Sequence, residues 1–261
     1  MLPIFARAHG GTVVCLRPTL QEIFERLYDF GIRDFYFIVG RGKRAIEDHF
    51  TPDSEFIRRL NQQGKKQHAT DLKRFYERIE TSNIVWVNQP KPRGFGDAVL
   101  NTGHLVGDDV FLVHAGDAYI YSKSSNLDIY SRLSRLYSRS KCDAALTLKE
   151  VRDPRHYGVA QLQGKTHVVR VVEKPAHPQT KLAIMPIYVF NNHIFDAIAS
   201  VEPGKGGEIQ LTDGIQRLID EGRKVDALRL TRSDVRLDIG TPETYWSALE
   251  ISFRHASGKS I

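Results

Sequence analysis

The chain reads as an α/β protein, and three observations predict that class. Short apolar runs rich in Val, Ile, Phe and Tyr alternate with longer segments whose apolar residues recur at helical spacing. The 261 residues suffice for a sizeable core, as one large α/β domain or as two small ones. Within residues 110–120 an apolar run containing Phe111, Leu112 and Val113 stops at Gly116-Asp117. That is the pattern of a buried strand delivering an acid at its carboxyl end, where open α/β sheets bind ligands. Asp117 is thereby a candidate magnesium ligand for a phosphorylated substrate, because Mg²⁺ takes one or two carboxylates and fills its remaining positions with phosphate oxygens and water.

Composition narrows the class of partner. No run of about eighteen apolar residues is present, and the first residues lack the charged-then-apolar order of a signal peptide, so a cytoplasmic protein without a membrane partner is expected. Cys15 and Cys142 stand apart from any second Cys or His at metal spacing and read as packing residues. The net charge of +6 suits nucleic acid, a membrane surface or small anionic substrates. The basic clusters at 41–44, 65–66 and 132–141 are brief or interrupted, and none has the stacked aromatics of an RNA reader, which points away from nucleic acid.

In chain order, Met1-Leu2-Pro3-Ile4-Phe5 opens abruptly with apolar residues, and 7–12 reads as a polar turn around His9-Gly10-Gly11. Pro18 opens a helix over 19–30, with Leu20, Ile23, Phe24 and Leu27 on one face and Gly31 as its stop. A strand over 34–39 runs into Gly40-Arg41-Gly42. This is either a phosphate loop or a tight strand-to-helix turn, and the lack of a Lys-Ser/Thr ending favours the turn. A helix starts at Arg44, and residues 52–81 carry two more, broken around Gly64. A strand over 84–88 ends at Gln89, whose amide offers both a donor and an acceptor to a base edge. The following loop, Pro90-Lys91-Pro92-Arg93-Gly94-Phe95-Gly96-Asp97, leaves backbone amides open to a ring or phosphate before a helix begins at Ala98.

Beyond the Asp117 strand come a serine-rich loop, a helix over 127–138 and a strand over 143–150. A turn over 153–158 leads to a hairpin of 159–162 with 168–173. The hairpin delivers Glu173 and Lys174 together. They form either an acceptor for sugar hydroxyls beside a point charge for phosphate, or a plain exposed ion pair. A strand over 182–190, interrupted by Pro186, precedes a helix over 194–199. Then Gly204-Lys205-Gly206-Gly207-Glu208 leads into Ile209, Leu211, Ile215, Leu218 and Ile219 at helical spacing. A strand over 225–230, a second acid-and-glycine ending at Asp238-Ile239-Gly240, and a helix over 242–253 close the chain. No linker-like stretch lies between 139 and 174, so a single domain over 1–261 is expected.

These segments form an ordered set. Gln89 with Arg93-Gly94-Phe95-Gly96-Asp97-Ala98-Val99, His114-Ala115-Gly116-Asp117, Tyr157-Gly158-Val159, Val172-Glu173-Lys174-Pro175, Gly207-Glu208-Ile209-Gln210-Leu211-Thr212-Asp213 and Asp238-Ile239-Gly240 resemble, in order, the motifs of sugar-1-phosphate nucleotidylyltransferases. Nearly the whole chain is similar to the UTP:glucose-1-phosphate uridylyltransferases, the UDP-glucose pyrophosphorylases of bacteria and archaea. The Glu208-to-Asp213 run and Met1-Leu2-Pro3 are the most family-specific parts, whereas Glu-Lys-Pro is shared with other sugar nucleotidylyltransferases. The resemblance implies a Rossmann-like, mixed but mostly parallel sheet flanked by helices. It also implies conversion of UTP and glucose 1-phosphate to UDP-glucose and pyrophosphate, and a homo-oligomer is expected. Position by position, it implies Gln89 and Gly94 as holders of the uracil, Gly158 and Glu173 as holders of the sugar, and Lys174 as a catalytic cation on the sugar phosphate. Asp117 and Asp238 would be the catalytic carboxylates that bind Mg²⁺.

Two departures accompany the resemblance. The family opens with a strand and a Gly-x-Gly-Thr-Arg loop followed by Pro-Lys, and this chain begins at the Met-Leu-Pro that comes next, so an N-terminal strand is expected to be missing from a truncated domain. Three accounts follow: an internal methionine taken as the start of a longer, active enzyme; a short paralogue that binds nucleotide sugar or regulates a full-length partner without turnover; or a basic nucleic-acid-binding protein. Pro186 also stands where many relatives carry a glycine near the sugar.

Overall fold

The computed structural model describes residues 2–8, 13–122, 128–204 and 207–258. The turn at His9-Gly10-Gly11, the serine-rich loop over 123–126 and Lys205-Gly206 lie outside the described residues. Where the sequence suggests a single domain, the chain divides into two compact units, neither of them contiguous. Met1–Asn88, Gly116–Tyr119 and Arg236–Ile261 make the first, and Gln89–Ala115 with Ile120–Val235 make the second.

The first unit opens with β1 (Pro3–Arg7) and β2 (Val14–Pro18), paired antiparallel with Pro3 opposite Pro18. Neither strand was expected from the sequence, which shows an apolar start and a polar turn there. The strand signal is faint because β1 buries only alternate residues, Ile4 and Ala6. Helix α1 (Thr19–Phe30) has the expected bounds and ends at Gly31, whose φ of 114° is open to glycine at little cost. β3 (Asp34–Val39) is followed by α2 (Arg44–His49), α3 (Ser54–Gln62) and α4 (Lys66–Glu80), and then by β4 (Asn83–Asn88), which lies parallel to β3. Phe24 of α1 packs against Phe35 at 4.7 Å and Phe50 at 5.2 Å between ring centroids, an aromatic core in which offset and edge contacts predominate.

The second unit carries α5 (Phe95–Leu100), α6 (Gly103–Val106) and β5 (Phe111–His114). β6 (Ala118–Ser122) follows, with its first two residues assigned to the first unit. Then come α7 (Ile129–Ser140), β7 (Ala144–Glu150), the hairpin β8 (Gly158–Gln163) and β9 (His167–Glu173), and β10 (Leu182–Phe190). α8 (His193–Ala199), α9 (Leu211–Asp220), β11 (Val225–Arg229) and β12 (Asp234–Asp238) complete it, the last three residues of β12 being assigned to the first unit. The main sheet has the order β5-β10-β7-β11-β9-β8, and β6 pairs with β12 in a separate two-stranded sheet.

The expectation of a mostly parallel sheet needs correction. Among the described residues of the six-stranded sheet, only β7 and β11 pair in parallel, while β10 runs antiparallel to β5, β7 and β8, and the β8–β9 hairpin and the β9–β11 pair are antiparallel. A central strand covered on both faces shows the same unbroken apolar run whichever way its neighbours point, so composition leaves direction undetermined. Pro186 does not end β10. It sits in the irregular stretch between Met185 and Tyr188, where a residue without an N–H is tolerated, and its carbonyl accepts the Ala115 N–H at 3.0 Å. The core beneath the sheet contains Leu146, Leu148, Phe190, Ile194, Ile215 and Leu218, all fully buried.

The chain returns to the first unit in α10 (Pro242–Ala256), started by a Thr241–Thr244 capping box with Pro242 in its first turn. α10 packs on β1. Phe253 meets Phe5 edge-on at 5.1 Å, the Ser252 hydroxyl accepts the Phe5 N–H at 3.1 Å, and the Tyr245 hydroxyl donates to the Pro3 carbonyl at 2.9 Å. Among the described residues, no helix is long and apolar enough to cross a membrane.

Candidate active site

Gln89 is the first residue after β4 and lies half-buried. Its Nε2 donates to Asp97 Oδ2 at 2.7 Å and to the Gly94 carbonyl at 3.3 Å. Asp97, 2% exposed, also accepts from Arg93 Nη2 at 2.7 Å and from Asn101 Nδ2 at 3.3 Å, so a buried carboxylate is surrounded by donors. The loop is laid against the segment before α9: Gly96 N–H donates to the Ile209 carbonyl at 2.9 Å, and Ile209 N–H donates to the Arg93 carbonyl at 2.7 Å. Both glycines are needed for that approach. A Cβ on Gly94, whose φ is 99°, would stand 2.5 Å from the Ile209 oxygen, and one on Gly96 would stand 2.8 Å from it.

The same segment leads to the second cluster. In the first turn of α9, Thr212 donates its hydroxyl to Glu173 Oε2 at 2.6 Å. Glu173 ends β9 directly opposite Gly158, the first residue of β8. Gly158 has no room for a side chain, since a Cβ would fall 2.7 Å from Thr212 Oγ1 and 3.0 Å from Glu173 Oε2. Lys174 Nζ lies 3.5 Å from Glu173 Oε1, largely exposed, and its backbone has a φ of 41°, unfavourable for a residue with a Cβ. Burial and the neighbouring Glu173 carboxylate push the Asp213 carboxyl above its ordinary range. Gln89, Gly94, Gly158, Glu173 and Lys174 thus belong to one hydrogen-bonded assembly within the second unit, joined by residues 209–212.

The two expected metal ligands lie in the first unit. Asp117 is exposed between β5 and β6, and Asp238 is the last residue of β12, half-buried, with β6 and β12 paired to each other. Asp238 Oδ2 meets Arg236 Nη2 at 2.9 Å, and its Oδ1 accepts the Gly240 N–H at 3.0 Å. Arg236, Asp238, Glu243 and Thr244 line a cleft of about 280 Å³. Among the described residues no group of three or more His, Cys, Asp and Glu side chains could hold a metal. A pair of carboxylates nevertheless fits the chemistry of Mg²⁺, which leaves most of its octahedral positions to water and phosphate. Asp97, Asn101, Thr212 and Arg236 also bear on the site through these contacts, and the sequence motifs assign them no role. Asp97 lies in the Arg93-to-Val99 motif and Thr212 in the Gly207-to-Asp213 motif, and that position is the signal the sequence carries for them.

The sequence profile of the nucleotidyl transferase family matches residues 15–252. The chain belongs to that family. This nucleotidyl transferase is 34% identical over 208 residues to a UTP–glucose-1-phosphate uridylyltransferase of Bacillus subtilis, across 77% of this chain and 68% of that protein. Two solved structures share its fold with a TM-score of 0.78 each. One is a UDP-glucose pyrophosphorylase complexed with UDP-glucose, at 25% identity over 92% of this chain and 88% of that one. The other is the UTP-bound UDP-glucose pyrophosphorylase of Acinetobacter baumannii, at 26% identity over 92% and 83%.

Proposed function

We propose that the chain is a cytoplasmic uridylyltransferase, acting as a homo-oligomer, that makes UDP-glucose and pyrophosphate from UTP and glucose 1-phosphate. The observation that carries this reading is the assembly linking Gln89 and Gly94 through residues 209–212 to Gly158, Glu173 and Lys174. It suits a bipartite ligand with a base at one end and a phosphorylated sugar at the other, as in the molecules named for the solved relatives. Gln89 and Gly94 hold the uracil, Gly158 and Glu173 the glucose, and Lys174 the sugar phosphate.

A phosphate oxygen of glucose 1-phosphate attacks the α-phosphorus of UTP in line. The bond from that phosphorus to the β-phosphate bridging oxygen breaks, and pyrophosphate leaves. The attacking oxygen is already ionised, so the step asks for positioning and charge neutralisation, not for a general base. Lys174, largely exposed beside the half-buried Glu173, supplies a reachable cation. Asp117 and Asp238 are the residues that would hold Mg²⁺, whose positive charge would offset that of the phosphates.

The test measures pyrophosphate release and UDP-glucose formation from UTP and glucose 1-phosphate, with and without Mg²⁺. Equimolar products are expected, and UDP-glucose binding without any pyrophosphate release would refute the reading. Asp117→Asn should reduce Mg²⁺-dependent turnover by at least about a hundredfold while leaving the melting temperature unchanged, because Asp117 is exposed. Retained turnover would overturn the metal assignment.

A further inference from the structure

Asp97 is buried, and among the described residues its side-chain hydrogen bonds run to Gln89, Arg93 and Asn101 and none to the sugar cluster. Its Oδ2 holds Gln89 Nε2 at 2.7 Å, and the other Nε2 hydrogen is directed to the Gly94 carbonyl at 3.3 Å. A primary amide has two hydrogens, and both are engaged. A carboxylate can only accept, so the atom of Gln89 facing Asp97 must be the nitrogen and the atom facing away must be Oε1. Among the described residues no donor reaches Oε1. Arg93 and Asn101 donate to Asp97 from other sides, at 2.7 and 3.3 Å, and keep the carboxylate in place.

We propose that Asp97 is a positioning residue that locks the Gln89 amide with Oε1 outward, so that the site selects pyrimidines bearing an N3–H. The inference rests on the uridylyltransferase reading and deepens it. Uracil has a hydrogen on N3 and donates to an outward oxygen. Cytosine carries a lone pair there, so the locked oxygen meets an acceptor and the buried polar group goes unpaired. Thymine keeps the N3–H, so the lock does not separate UTP from dTTP. An amide free to turn over would present either atom and would lose the distinction.

Wild type and Asp97→Asn are compared for kcat/KM with UTP and with CTP at fixed glucose 1-phosphate, alongside melting temperature. The wild type should prefer UTP over CTP by at least about a hundredfold and should reject N3-methyl-UTP to a similar degree. In Asp97→Asn the new amide nitrogen can donate to Gln89 Oε1, which allows the turned-over state, and the UTP preference should fall by about tenfold or more. Equal slowing of UTP and CTP, with the preference unchanged, would mean that Asp97 is only structural and would overturn the proposal. Should the variant fail to fold, the wild type decides: use of CTP or N3-methyl-UTP within tenfold of UTP sinks the lock while leaving uridylyl transfer standing. No turnover or binding of any uridine nucleotide by wild type would sink the uridylyltransferase reading, and the lock with it.

Discussion

Gly158→Ala tests the sugar end of the site through a contact whose size is measurable. The added Cβ would stand 2.7 Å from Thr212 Oγ1 and 3.0 Å from Glu173 Oε2, where ordinary contact begins near 3.4 Å. The Thr212–Glu173 hydrogen bond, 2.6 Å long, lies in the path of the methyl group and must open. Overpacking of this kind costs about 1–3 kcal/mol, and a hydrogen bond to a charged group contributes about 1.5–3 kcal/mol. If about 2 kcal/mol of that falls on the transition state, kcat/KM for glucose 1-phosphate drops about thirtyfold. Initial rates of pyrophosphate release at saturating UTP, with glucose 1-phosphate varied, read the effect directly. The KM for UTP should change by less than about twofold, since the base loop is untouched, and Thr212→Val should reproduce the direction of the effect without added bulk. A Gly158→Ala enzyme within about threefold of wild type at unchanged melting temperature would show that Glu173 does not hold the sugar through this geometry.

Two further perturbations separate function from stability. Lys174→Gly relieves a left-handed backbone that costs a side-chain-bearing residue about 1 kcal/mol, so thermal melting should show a midpoint unchanged or slightly raised while kcat/KM for glucose 1-phosphate falls at least about tenfold. A lowered midpoint with full activity would identify Lys174 as a structural residue. For Asp234, burial opposes the charge, yet the Arg132 guanidinium at 2.6 and 3.1 Å and the Thr231 N–H at 2.7 Å bring its carboxyl down to about 2. A depressed carboxyl stabilises above its unfolded value near about 4 and loses that stability as pH falls toward 2, an effect of roughly 2 kcal/mol. Urea midpoints of wild type and Arg132→Gln should therefore differ at pH 7 and converge near pH 2, and a gap independent of pH would contradict this account.

Local signals were legible in the sequence. α1 and β3 have the predicted bounds because a twelve-residue amphipathic period ending in glycine, and an unbroken β-prone run, are decided within their own residues. The hairpin that delivers Glu173 and Lys174 was equally plain, since its turn residues lie between its two strands. What escaped depends on residues far apart in the chain. β1 and β2 pair only through alternate burial, β10 takes its direction from neighbours on both sides, and Thr212 reaches Glu173 from 39 residues away. Asp97 looked like one more loop carboxylate because its burial, not its residue type, gives it a role. The division into two units was hidden for a related reason: the chain crosses between them at 88/89, 115/116, 119/120 and 235/236, and none of these points is marked by a linker-like composition.

That interleaving also sets a clock on assembly. β1 is held by α10, and the Phe5–Ser252 contact joins residues 247 positions apart. At about 5–20 residues per second, a ribosome needs roughly 12–50 seconds to travel that distance, so β1 emerges long before the helix that covers it. Residues 89–235 contain the whole of the second unit and are complete well before the first unit can close. On the ribosome the second unit can therefore be complete before the first, which waits for α10.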